Sequence, residues 1–178
     1  MSRAFVAVVP PAEVLHAVAE VVGTPDVAGA RVTPDGQRHL TLQFLGNRAD
    51  LDVAAAALRA LAVGAGPAQL GGFGAFPSDR RGRVLWLGVA DGGLLLAQLA
   101  AAVGALLGPA GYPPEDREYH PHLTLARWKA PTDLREAVAA LPTGPVGPSW
   151  KVEHVVLFES ITRPTGAEHV ERARFALG

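Results

Sequence analysis

The stretches HPHLTLAR (residues 120–127) and RHLTLQFLG (residues 38–46) carry the same four letters, H-L-T-L, in one chain. His122 follows His39 by 83 residues, and Thr124 follows Thr41 by the same step, close to half of the 178-residue length. Successive side chains on a strand point to opposite faces. On such a strand the imidazole and the hydroxyl share one face, and the two leucines share the other. The leucines then bury into a core while the polar pair faces away from it. A repeat at half-chain spacing predicts two related lobes whose polar faces meet across a cleft, with two histidines and two threonines converging there.

Outward from the motifs, residues 3–9 (RAFVAVV) read as a strand ended by Pro10 and Pro11, and residues 12–22 as a helix. A strand is expected over 38–45, ended by Gly46, and an Ala-rich helix over 50–61 capped by Asp50 or Asp52. Strands follow around 68–73 and 83–89, flanking the basic loop SDRRGR. Leu95, Leu99, Val103 and Leu106 recur at helical spacing over 94–107 and should face a sheet. Pro113 and Pro114 mark a break. Beyond them come a strand over 120–128, a helix over 132–141, a Pro/Gly linker, a strand over 151–159 and a last strand over 172–177. Strands and helices mix without the regular alternation of a doubly wound sheet. The expected class is α+β: two pseudo-symmetric lobes with mostly antiparallel sheets around a central cleft, helices outside, the chain 1–178 forming a single bilobal domain.

Composition narrows the function. Apolar residues make up 49% of the chain, enough for a packed interior, and the formal net charge is −1. No global basic field favours duplex nucleic acid, so any phosphate must be held by a few aimed groups. The chain has no cysteine, which removes disulfides, thiolate metal sites and cysteine nucleophiles together. No segment has the length or the apolar character of a membrane span or a signal peptide. A cytoplasmic monomer without a membrane partner is expected.

Two imidazoles and two hydroxyls suit displacement at phosphorus without a metal. One imidazole serves as base for the attacking oxygen and the other as acid for the leaving oxygen. The unperturbed histidine pKa of about 6.5 allows either form near neutral pH. The hydroxyls can donate to the non-bridging oxygens, where charge develops. Arg127 could add positive charge to that cradle. Strict alternation puts it on the leucine face, so the role requires a bulge or the strand's end nearby. A metal site built from His39, His120 and His122 is the competing reading, with few carboxylates near either motif to complete it.

With these residues in place, the sequence resembles the 2H phosphoesterase superfamily and, within it, the RNA 2′,3′-cyclic phosphodiesterase branch, also called 2′-5′ RNA ligase-like. The resemblance runs through RAFVAVVP, HLTLQFLG, GAFPSDRRGRVLWLGV, REYHPHLTLAR and LFESITRPTG. It implies two α+β lobes around a cleft and a catalytic set of His39, Thr41, His122 and Thr124, with Arg127 contacting phosphate. It implies no cofactor. The implied reaction is metal-independent opening of an RNA 2′,3′-cyclic phosphate to a 2′-phosphate, with His39 as acid and His122 as base, roles that pseudo-symmetry leaves interchangeable. The reverse reaction would join RNA ends through a 2′-5′ bond. A small cyclic nucleotide or an ADP-ribose derivative is an alternative substrate. A nucleotide- or RNA-end-binding module without turnover is the alternative from another class. Relatives often carry a tyrosine where this chain has His169.

Further candidates lie outside the motifs. Arg80, Arg81 and Arg83 form the densest basic cluster and could meet RNA phosphates; a solvated turn is the other reading. Arg38 raises the same alternatives. Trp128 and Tyr112 could stack a terminal base, with packing as the competing fate. Trp86 and Phe44 are expected to point into the core, and His16 and His154 to be structural or on the surface.

Overall fold

The structure, a computed structural model, describes residues 2–23 and 25–178. Its strands are β1 (Ser2–Val8), β2 (Arg31–Val32), β3 (Leu40–Ala49), β4 (Gly66–Phe76), β5 (Gly82–Asp91), β6 (Leu123–Thr132), β7 (Pro145–Val152), β8 (His154–Arg163) and β9 (Gly166–Ala176). Its helices are α1 (Ala12–Val22), α2 (Leu51–Leu58), α3 (Gly93–Leu107) and α4 (Arg135–Ala139). The fold is α+β, and every strand pairing is antiparallel. The strands run in the order β7-β4-β5-β6-β3-β1-β8-β9, with β2 beside β6. The two lobes are therefore halves of one sheet, joined where β3 meets β6.

Among the described residues that junction is a single pair, Leu40 opposite Leu123. These are the same position of the two H-L-T-L motifs, so the pseudo-twofold axis passes between them. Both leucines are fully buried. Each half repeats strand, helix, motif strand, helix: β1-α1-β3-α2 and β5-α3-β6-α4. The long helices cross over. α1 packs on β7 in the other half, where the Ala17 methyl approaches Gly147, and α3 packs on β3. Leu96, Leu99, Val103 and Leu107 of α3 join Leu40, Leu42, Leu123 and Leu125 in one core. Helices thus cover the leucine face, and the polar face stays open. Truncating Leu123 to alanine at this junction should cost about 2–5 kcal/mol, read as a lowered urea midpoint with an unchanged slope.

Several local expectations shift. The strand β3 runs through Gly46, at φ +92°, to Ala49. The buried stripe of α3 uses Leu96 and Leu107 in place of Leu95 and Leu106. The segment read as a Pro/Gly linker is β7, which carries Pro145, Gly147 and Pro148. Among the described residues it pairs only with β4, at the edge of the sheet, where a residue that cannot donate to a ladder is tolerated. Asp50 caps α2, its carboxylate accepting from the N–H groups of Asp52 and Val53 at 3.1 Å each. The predicted helix over 132–141 shrinks to Arg135–Ala139.

Candidate active site

Continuing the Leu40–Leu123 register by one residue sets His39 opposite Thr124 and Thr41 opposite His122. Directly opposed residues of an antiparallel pair share a face, so all four stand on the face that the leucines leave open. The two histidines occupy diagonal positions, a spacing of about 7–8 Å between such sites.

Each imidazole is held the same way. Nδ1 of His39 lies 2.8 Å from the Gln37 carbonyl, and Nδ1 of His122 lies 2.7 Å from the His120 carbonyl. A carbonyl only accepts, so each Nδ1 carries the proton and donates it. Each Nε2 is thereby left available to the cleft. His120, without a histidine counterpart in the first motif, is matched by Gln37 through the backbone carbonyl alone. The His120 ring instead packs edge-on to Trp86, with centroids 4.8 Å apart. Among the described residues no cluster of three or more His, Asp or Glu side chains is placed to hold a metal ion.

Both rings rest on aromatic side chains. Phe5 stacks on His39 at 4.6 Å and 24°, and Phe76 meets His122 edge-on at 4.9 Å and 87°. Burial pushes His39 down to about 4, reinforced by the charges of His169, Arg127 and His122 and opposed by the Gln37 hydrogen bond. Burial also lowers His122, with the charges of His120, Arg127 and Arg117 acting in the same direction and its own carbonyl bond opposing.

Arg127 reaches this face through a bulge. Opposite Leu87, Trp86, Leu85 and Val84 on β5 stand Leu123, Thr124, Ala126 and Arg127 on β6, so Leu125 is the extra residue. Leu125 and Ala126 are both buried, and the alternation resumes one residue late, which turns Arg127 from the leucine face to the cleft. The first half has the same bulge: Thr41, Gln43 and Phe44 stand opposite Ala7, Val6 and Phe5, leaving Leu42 extra. Phe44 therefore occupies the place that Arg127 takes in the second half. It is half-buried, not inward-facing as its parity suggested, and the Arg3 guanidinium lies over its ring at 4.9 Å.

The remaining candidates divide. Trp128 is 6% exposed and its indole N–H donates to the Ala28 carbonyl at 3.2 Å, so its ring is not open for stacking. The hydroxyl of Tyr112 accepts from the Asp50 N–H at 2.8 Å. Arg38, with the parity of Leu40, is 3% exposed and ion-paired to Asp35 at 2.8 Å. Arg80, Arg81 and Arg83 are exposed in and beside the β4–β5 turn. His16 pairs with Glu20 at 3.3 Å on the outer face of α1.

Trp86, expected in the core, is half-buried and shares a cavity of about 320 Å³ with Phe73, His120, Pro121 and the backbones of Gly71 and Gly88. It stands opposite Thr124, between buried Leu85 and Leu87, whose alternation with it along the strand was the available signal for its face. His169, on β9, meets His39 edge-on at 5.2 Å. Phe5, Phe76, Arg3 and Arg31 also border the site, and only the tertiary fold brings them there.

Comparison with known proteins adds the following. The family model described as the 2′-5′ RNA ligase superfamily matches residues 9–163. A Thermus thermophilus protein named RNA 2′,3′-cyclic phosphodiesterase is 36% identical over 185 residues, spanning 98% of this chain and 90% of that protein. An Aeropyrum pernix protein of the same name is 34% identical over 113 residues, spanning 62% of this chain and 64%, just under two thirds, of its own length. Among solved structures, E. coli LigT in apo form superposes with a TM-score of 0.79 at 26% identity, over 99% of this chain and 97% of that one. The same protein complexed with 3′-AMP gives 0.77 at 25%, with the same coverage.

Proposed function

The chain belongs to the 2′-5′ RNA ligase superfamily, and from that premise we propose that it opens terminal 2′,3′-cyclic phosphates of RNA to 2′-phosphates without a metal ion. One observation carries the reading. Two histidines related by the pseudo-twofold axis each have Nδ1–H tied to the carbonyl two residues upstream, and this leaves both Nε2 atoms for proton transfer on one open face.

In this reading His122 Nε2 takes a proton from water as its oxygen forms the new bond to phosphorus. The P–O3′ bond breaks on the opposite side, and His39 Nε2–H protonates O3′. The ester at O2′ survives, so the product is a 2′-phosphate with a free 3′-hydroxyl, and exchange with solvent resets both rings. Thr41 and Thr124 donate to the non-bridging oxygens, and Arg127 supplies the fixed positive charge that the developing charge needs. The names of the relatives support the substrate class, and the LigT complex with 3′-AMP supports a site that accepts nucleotides. With a 5′-hydroxyl in place of water as the attacking group, the same displacement forms a 2′-5′ linkage; the abundance of water favours hydrolysis.

An acid at about 4 in the free protein carries little proton at neutral pH. Bound phosphate supplies the negative charge that Arg127, His169 and His122 withhold, which raises His39 toward the working range. It follows that the pH optimum of kcat lies above that of kcat/KM, since the first reports the complex and the second the free enzyme. The direct test is a short RNA ending in a 2′,3′-cyclic phosphate, incubated in excess EDTA with the product's phosphate position assigned by NMR. Turnover to a 2′-phosphate is expected. A 3′-phosphate product, or turnover only after a divalent cation is restored, would overturn the mechanism.

A further inference from the structure

The cleft is not symmetric in charge. Beside His122 lies the cavity walled by Trp86, Phe73 and glycine backbone. Beside His39 stand His169 and Arg127, and next to Arg127 stand Arg3 and Arg31. Arg31 on β2 is the direct cross-strand neighbour of Arg127. Its Nη2 lies so near the β8–β9 turn that a Cβ on Gly166 would sit 2.7 Å from it. Arg3 on β1 covers Phe44, the pseudo-symmetric counterpart of Arg127, and its Nη1 donates at 3.5 Å to the side-chain Oδ1 of Asn47. The charges of Arg3 and Arg31, after burial, hold Arg127 below its ordinary value, which places the three guanidiniums within one another's field. The ion pairs among the described residues are all made by other side chains. Like charges facing each other across strands are destabilising, and guanidiniums match phosphate oxygens in geometry. One phosphoryl group between the histidines accounts for Arg127 and leaves two cations over.

We propose that Arg3 and Arg31 form a second anion subsite, which holds the phosphodiester joining the terminal nucleotide of RNA to its 5′ neighbour. The inference rests on the proposed function, and it follows the same direction: with His39 on the O3′ side, the ribose and the chain attached to it leave the reacting phosphorus toward these arginines. The subsite distinguishes an RNA end from a lone cyclic nucleotide, which has no such phosphodiester.

Titration calorimetry with two product ligands tests it: a nucleoside 2′-phosphate, and a dinucleotide with one internal 3′-5′ phosphodiester and a terminal 2′-phosphate. The protein as it stands should bind the dinucleotide about tenfold or more tighter, the scale of a charge-assisted contact. Arg3→Gln/Arg31→Gln should lose most of that ratio, and the slope of log K against log salt for the dinucleotide should become shallower by about 0.7. Arg31→Lys should regain part of the affinity but less of it than arginine gives. Equal affinities for the two ligands, or a ratio that survives the double substitution, would overturn the subsite. Both readings are ratios within one protein, so a partly destabilised variant still decides the matter. Because binding is read without turnover, failure to hydrolyse cyclic RNA counts against the activity, and a lost ratio in the unsubstituted protein counts against the subsite.

Discussion

His122→Ala is expected to lower kcat on an RNA 2′,3′-cyclic phosphate by about 10²–10⁴-fold, and His39→Ala by a similar factor. The two losses should part company on a 3′-deoxynucleoside 2′-(4-nitrophenyl phosphate), in which nitrophenolate leaves in place of O3′. Nitrophenolate needs no proton to depart, so the acid is dispensable while the base is not. His39→Ala should then recover most of its lost rate and His122→Ala almost none. In an in-line displacement acid and base act on opposite oxygens, so this substrate discriminates where the fold does not. The bonds that orient the two rings, at 2.8 and 2.7 Å to equivalent carbonyls, are the same in both halves. Recovery in His122→Ala instead would exchange the roles. Near-normal rates in both variants on the cyclic substrate would remove the two-histidine mechanism altogether. The double variant should lose little more than either single one, because paired groups in one step are not additive.

How far the sequence carried the reading depends on which physical signal encodes each feature. The 83-residue repeat predicted that the motifs would meet, and the Leu40–Leu123 pair is that repeat seen in three dimensions. Motif polarity placed His39, Thr41, His122 and Thr124 on one face because strand alternation is strict over three residues. It stops being strict at the bulges after Thr41 and Thr124. An extra residue leaves no mark in an apolar pattern when Leu125 and Ala126 are simply buried in succession, and at Leu42–Gln43 the second buried residue is a polar one that reads as outward-facing. Phe44 was misplaced for this reason, and Arg127 reaches the cleft for the same one. The edge strand β7 was hidden by its prolines, which signal a linker unless the neighbour on one side is known to be absent. Arg3 and His169 lie far from both motifs in the chain, Arg31 lies outside them on a separate short strand, and only the pairing of β1, β2 and β9 brings them to the site.

Arg127→Ala is expected to reduce kcat by about 10²–10³-fold, the scale for losing a preorganised donor to developing charge. Its second consequence separates an electrostatic role from a structural one. Arg127 is among the positive charges that depress both His39 and His122. Removing a cation makes the protonated ring cheaper, so both histidines of the free protein should titrate at higher pH in the variant, observed as shifted ring-proton resonances in an NMR titration. Burial, the first cause of both shifts, remains, so neither should return fully to 6.5. The sign extends to stability. Between about 4, where folded His39 titrates, and 6.5, where the unfolded ring does, the unfolded chain binds a proton that the folded one refuses, and stability rises with pH through that window. The variant should narrow the window from below and lose less stability in acid. Arg127→Lys keeps the charge but not the planar fork, so it should keep the histidine pKa values low while recovering only part of the rate. If alanine leaves both titrations and the rate unchanged, the bulge has turned Arg127 toward the cleft without giving it a part in the chemistry.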